Sequence, residues 1–209
     1  MAQIVGFISQ KGGVGKSTLA RGLSREAAAS GLNVKLADLD TQQGTSVDWY
    51  RRRLDHGAAP VFSVESFKTA SQALKLADQF DLLLLDGPAR ASSATLEIAK
   101  AASLVVQPSG ASVDDLRPAI LVFHELVKAG ISRNRLVFAL CRIGTDAEEA
   151  ESRAYIDQAG YQTLEGALPE RPSYRQASNA GLSITETRYP QLNQRADKLI
   201  QSMVDKLNG

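Results

Sequence analysis

Short apolar runs alternate along this chain with stretches whose apolar positions recur at helical spacing. Ile4 to Ile8 is the first run, and a glycine-rich turn follows it. Leu19, Leu23 and Ala27 then repeat every four residues, which predicts a helix stopped by Gly31. Val34 to Leu39 reads as a second strand ending in acids, Thr45 to Leu54 as a helix, Val61 to Val64 as a short strand and Lys68 to Asp78 as a helix. Leu82 to Leu85 is a run of leucines closed by Asp86, and Leu104 to Val106 is a further strand. A run apolar on both faces suits a central parallel strand covered by helices on each side.

Ser112 is placed to cap a helix carrying Leu116, Ile120, Phe123 and Val127, in which Pro118 is tolerable only near the first turn. Leu136 to Leu140 and Thr163 to Leu168 predict strands around a helix over Ala147 to Gln158. Leu192, Ala196, Leu199, Met203 and Leu207 mark a long last helix. Repeated alternation of strand and helix, with no internal repeat or composition break, predicts one α/β domain over residues 1–209 with a mostly parallel twisted sheet and helices on both faces. Ligands of such sheets lie beyond the carboxyl ends of the strands, so the chemistry is expected just after Ile8, Leu39 and Leu85.

Composition narrows the class without naming a function. With 209 residues, 44% hydrophobic and 22% charged, the chain can bury a core without staples, and it is neither fibrous nor disordered. Its 1 cysteine, Cys141, allows no internal disulfide or CxxC pair and fits a reducing, cytoplasmic setting. The opening residues lack the long apolar stretch of a secretory signal or membrane span. The balance of 24 basic against 23 acidic side chains means that any nucleic-acid role must rest on local patches.

Gln10-Lys11-Gly12-Gly13-Val14-Gly15-Lys16-Ser17-Thr18 stands between the first strand and the first helix. Gly12, Gly13 and Gly15 let the backbone curl so that several N–H groups converge on one anion, and the following helix adds the positive end of its dipole. Lys16 supplies a mobile cation for the β and γ phosphates, and Ser17 a hydroxyl for Mg2+. The general phosphate-loop pattern has glycine where this chain has Gln10, and an additional lysine, Lys11, comes next.

The stretch from Lys11 to Thr18 resembles the deviant Walker A loop of the ParA/MinD ATPases. Asp38-Leu39-Asp40-Thr41-Gln42 is similar to that family's first switch, with Thr41 where proline is usual. Leu82 to Asp86 with Gly87-Pro88 is similar to its Walker B strand and second switch. Pro169-Glu170-Arg171, with Tyr174, Ala177 and Gly181, resembles its late segment near the base pocket. The resemblance implies a P-loop NTPase fold, ATP and Mg2+ as cofactors, and hydrolysis of ATP to ADP and phosphate. Lys11 to Thr18, with Pro169 and Arg171, would bind the nucleotide, and Ser17, Asp40 and Asp86 would serve the metal. Lys11, Lys16 and Asp40 would be catalytic: Lys11 reaching the partner subunit's phosphates, Asp40 orienting the attacking water. The plainer alternatives are that Lys11 holds only its own phosphate and that Asp40 caps the next turn. Asp38 is read as a structural partner or an outer Mg2+ contact.

The resemblance further implies an ATP-bound homodimer that binds DNA non-specifically on the nucleoid. A ParB-like or other cargo adaptor would stimulate its hydrolysis, and its cargo would be a plasmid, a chromosome region or a protein assembly. Two alternatives share the loop: a metabolic ligase of the dethiobiotin synthetase type and a MinD-like membrane-surface ATPase. The last helix reads as packed rather than as a membrane anchor, because its stripe includes Ala196 and Met203 and its other face mixes Lys198 with Asp197 and Asp205. No stable membrane insertion is expected. Six basic side chains in the last forty residues (Arg171, Arg175, Arg188, Arg195, Lys198 and Lys206), against four acids, could face DNA or only solvent. Arg51, Arg52 and Arg53 form a basic run that either meets a partner or ends a helix. The first strand begins at the third residue, leaving no room for a preceding helix-turn-helix. Cys141 stands where the family often has a base-reading asparagine and reads as a small buried hydrophobe, and one cysteine is too few for the iron–sulfur branch. His56 and His124 lie far from every motif and read as structural.

Overall fold

The computed structural model describes residues 2–89 and 93–209. Seven strands form one sheet in the order β3-β2-β4-β1-β5-β6-β7, and every pair is parallel. They are β1 (Gln3–Phe7), β2 (Val34–Asp38), β3 (Ser63–Ser66), β4 (Leu82–Asp86), β5 (Leu104–Ser109), β6 (Leu136–Ile143) and β7 (Gln162–Pro169). The helices are α1 (Lys16–Ala29), α2 (Thr45–Asp55), α3 (Ala70–Leu74), α4 (Ser93–Ala101), α5 (Val113–Lys128), α6 (Asp146–Gln158), α7 (Pro172–Asn179) and α8 (Pro190–Asn208).

The leucine run behaves as a doubly covered strand should. Leu82 and Leu84 join the core under α1, α2, α7 and α8, while Leu83 and Leu85 join the core under α3 to α6. The register then sets the site. Phe7 lies beside Asp86, and Asp86 beside Asp38, so the carboxyl ends of β1, β4 and β2 finish level. The strand order reverses between β4-β1 and β5, and ligands of open α/β sheets gather at such a crevice.

Several expectations shift. The predicted helix over Lys68 to Asp78 is the five-residue α3 followed by a 3-10 turn at Ala77–Gln79. The short strand starts at Ser63 rather than Val61; Val61 is 69% exposed, and Phe62 turns under Trp49 and Tyr50 before pairing begins. Helices α4 and α7 were not expected, and each buries only two side chains among its described residues: Ile98 with Ala99, and Tyr174 with Ala177. Pro118 occupies the sixth position of α5, one turn deeper than anticipated. The Arg51-Arg52-Arg53 run is divided: Arg51 is exposed, while Arg53 is fully buried and donates to both carboxylate oxygens of Glu186 at 2.8 and 3.1 Å.

Arg53 also stacks at 5.7 Å on Trp49, whose other cationic neighbour is Arg21 at 5.5 Å. Burial acts to raise the Glu186 carboxyl, but hydrogen bonds and charge from Arg53 hold it below the ordinary range. The pair therefore stabilises the fold at neutral pH, and that contribution fades as acid protonates Glu186. Glu186→Ala strands a buried guanidinium and is expected to cost about 3–5 kcal/mol in urea denaturation at pH 7.

Candidate functional site

The loop between β1 and α1 is a backbone cradle. Gly13 and Gly15 take φ of 74° and 117°, a region in which side chains are strained. A Cβ on Gly15 would also lie 3.2 Å from the Cys141 sulfur. The curl brings the Lys16 ammonium to 3.4 Å from the Lys11 carbonyl, and Lys16 is only 7% exposed. Burial lowers its pKa, while the charges of Asp86 and Asp40 act to keep it protonated. Lys16, Asp40 and Asp86 are thus within electrostatic reach of one another at the loop.

Asp86 ends β4 without exposure to solvent. Its Oδ2 accepts the Ser46 hydroxyl at 2.8 Å, and its Oδ1 has no hydrogen-bond partner. Burial pushes its carboxyl up to about 6, opposed by the hydroxyls of Ser17 and Ser46. Ser17 Oγ lies 3.4 Å from Thr45 Oγ1 at the start of α2. An orphaned carboxylate oxygen beside two helix-start hydroxyls fits a divalent cation of the phosphate-loop kind, which takes only one or two protein oxygens and otherwise phosphate and water. Among the described residues no group of three or more His, Cys, Asp or Glu gathers to bind metal independently of phosphate.

Asp38 is fully buried and spans the turn between β2 and α2. Its Oδ2 accepts the amides of Ser46 at 2.9 Å and Val47 at 3.3 Å, and its Oδ1 that of Asp40 at 3.1 Å. The half-buried Asp40 accepts the Gln43 amide at 3.2 Å, so in this state it caps the turn. Lys11 points away from its own loop: its ammonium pairs with Asp115 in the first turn of α5 at 2.7 Å, and its side chain is 43% exposed. Asp115 is partly buried, which acts to raise its carboxyl, but Lys11 and Ser112 pull it below the ordinary range.

Pro169 and Arg171, from the end of β7 and the start of α7, share with Gly13, Gly15 and Thr18 a cavity of about 250 Å3. Cys141 lies in its wall with its thiol pushed up to about 12 by burial, which makes it a poor nucleophile. Three charge arrangements here escaped the sequence reading: the two arginines on Glu170, Arg21 on Ser46, and Asp115 on Lys11. Arg142, at φ 60°, donates to Glu170 at 3.0 Å, and Arg175 donates to the other oxygen at 2.6 Å, forming a charged border to the cavity. Arg21 donates to Ser46 Oγ at 3.1 Å and so supports the hydroxyl that Asp86 holds. Asp115 is the third. Their roles depend on partners far along the chain, and no local pattern marks them. His56 and His124 stay outside the site: His56 Nδ1 contacts the Arg52 carbonyl and His124 Nδ1 the Tyr161 hydroxyl, both at 2.7 Å.

Comparison with known proteins gives the family and the fold. The profile of the CobQ/CobB/MinD/ParA nucleotide binding domain matches residues 5–184. The maintenance of carboxysome distribution protein A of Gloeobacter kilaueensis is 26% identical over 187 residues, covering 89% of this chain and 85% of that protein. The septum site-determining protein MinD of Pyrococcus horikoshii, solved with Mg-ADP, superposes with a TM-score of 0.76 at 20% identity, covering 100% of this chain and 98% of that one. An ATP complex of a Cyanothece McdA variant superposes with a TM-score of 0.71 at 15% identity, covering 97% and 96%.

The raised Asp86 carboxyl has a thermodynamic consequence. Between its unfolded value and about 6 the folded state binds the extra proton, so the stability of the ligand-free protein falls as pH rises through that window. Asp86→Asn removes the buried charge and is expected to stabilise the ligand-free protein at pH 7 by about 1–3 kcal/mol in urea, while abolishing the Mg2+ dependence of nucleotide binding by calorimetry.

Proposed function

The chain belongs to the CobQ/CobB/MinD/ParA family of nucleotide-binding domains, and from that premise we propose that it is an ATPase of the ParA type that closes into a homodimer around ATP and Mg2+. The observation that carries this reading is Lys11. It heads a phosphate loop that already has its own buried lysine, yet its ammonium lies off that loop, partly exposed and tied to Asp115. A cation held at the rim in this way is placed to reach the phosphates of a second subunit, where two triphosphates facing each other would otherwise repel. Leaving Asp115 breaks one partly exposed ion pair, a modest cost beside a triphosphate contact.

Within each subunit the loop amides and Lys16 would hold the phosphates, and Ser17 and Asp86 would hold Mg2+, which would supply positive charge to the phosphate oxygens. Asp40 leaves its turn-capping position to orient a water. The water oxygen bonds to the γ phosphorus as the bond to the β–γ bridging oxygen breaks and the water's proton passes to a γ-phosphate oxygen, releasing ADP and hydrogen phosphate. Arg171 and Pro169 border the base.

Two further parts of the reading concern partners. Most of the apolar stripe of α8 is packed inward: Ala196, Leu199, Ile200 and Met203 are buried, while Val204 and Leu207 are partly buried, which favours a packed helix over a membrane-surface one. Among the described residues no helix is long and apolar enough to cross a membrane. On the same helix Arg195 makes no ion pair among the described residues, and Lys198 meets Glu165 only at 3.7 Å, leaving both cations for non-specific DNA contact. The likeness to a carboxysome-distribution protein supports cargo positioning with a protein assembly as the cargo; an adaptor protein that stimulates hydrolysis is part of the same proposal.

Light scattering with a non-hydrolysable ATP analogue tests the central claim. The parent chain is expected to dimerise and Lys11→Ala to remain monomeric, with ATP affinity changed less than about threefold; a large affinity loss in the monomer would return Lys11 to its own phosphate. A gel shift with plain duplex DNA tests the rest. Arg195→Glu with Lys198→Glu should weaken ATP-dependent binding at least about tenfold and lower the salt slope by about two, with dimerisation intact. A metabolic ligase would show no ATP-dependent shift in the parent chain.

A further inference from the structure

The end of the sheet opposite the phosphate loop carries a second cavity, which nucleotide chemistry leaves unused. It has a volume of about 530 Å3 and lies between α1 and α8, beside the first residues of β1 and β4. Its floor is apolar, formed by Leu23 and Ala27 of α1 with Ile200, Val204 and Leu207 of α8. Its border is acidic: Glu26, Asp81 and Asp197 line it, and among the described residues no lysine or arginine does.

The charges around it do not cancel. Arg25 grips both oxygens of Glu26 at 2.7 and 2.8 Å, but Asp81 and Asp197 have no ion-pair partner among the described residues. Burial, and then the Glu26 charge, push the Asp197 carboxyl up, and the Arg25 charge offsets this only in part. Helix α1 ends at this cavity without a basic residue in its last turn, so the negative end of its dipole adds to the field. The shape is elongated. Asp197, Gln201, Val204 and Asn208 all line it, at the i, i+4, i+7, i+11 spacing of one helix face, a span of about 16 Å along α8. Leu23, Glu26 and Ala27 of α1, with Ser30 just past its end, line the other side over about 10 Å.

We propose that this groove docks a short amphipathic helix of a partner protein, with the helix's apolar face on the floor and its lysine or arginine side chains at Asp81 and Asp197. An apolar floor about two helical turns long, Ile200 to Leu207, suits the anchor spacing of a short helix laid in a groove. The bordering carboxylates select a cationic partner and repel both nucleic acid and anionic lipid. The groove lies at the far end of the sheet from Lys11 and the nucleotide cavity, so the proposal stands apart from the ATPase reading.

Fluorescence anisotropy of the full chain with a labelled fourteen-residue helical peptide of leucine and lysine, leucines at i, i+3 and i+4 spacing, tests it. Saturable binding is expected, with the leucine–glutamate counterpart at least about tenfold weaker. Asp197→Lys with Gln201→Lys changes only exposed positions of α8 and should weaken the lysine peptide at least about tenfold, with melting temperature and ATP affinity unchanged. Equal affinity for the double variant would overturn the proposal. So would full displacement by spermidine at equal cation concentration, which would make the groove a site for small organic cations.

Discussion

Asp86 has to hold a negative charge in a place from which water is excluded, and much of the nucleotide end is arranged around that constraint. The leucines before it bury β4 on both faces, so the strand delivers its carboxylate to the floor of the site rather than to solvent. Such a group is tolerable only with compensation. It comes from the Ser46 hydroxyl, from the charge of Arg21 behind Ser46, and from the Lys16 ammonium nearby, leaving one oxygen without a partner. Asp38 ties the start of α2 to the same corner through the amides of Ser46 and Val47. The two carboxylates at the level ends of β2 and β4 therefore differ in what they hold: Asp38 fixes backbone amides, and Asp86 keeps one oxygen without a hydrogen-bond partner.

The same constraint links the site to the rest of the core. Arg21 supports Ser46 on one side and stacks on Trp49 on the other. Trp49 stacks in turn on Arg53, which is paired with Glu186 in the segment before α8. A chain of buried cations and one indole thus runs from the cation-binding corner into the C-terminal part of the fold. Helix α1 makes a second connection. It begins with Lys16 at the phosphate loop and ends at the acidic groove, so the two ends of one helix present opposite charge.

The amino-acid sequence by itself determined the alternation of strand and helix, the doubly covered β4, the phosphate loop and the acids at the ends of β2 and β4. Each is a local pattern: a run, a period or a motif whose chemistry needs only neighbouring residues. Helices α4 and α7 lay beyond it, because each buries too few side chains to leave a stripe. Only the tertiary structure decided what the isolated charges do. It put Arg53 in the core while Arg51 stayed in solvent, drew Lys11 to an acid 104 positions away, set Arg142 and Arg175 on Glu170, and made a groove from helices at opposite ends of the chain. The physical reason is that a charged side chain is settled by the partner that offsets its desolvation, and chain folding, not sequence neighbourhood, brings that partner within reach.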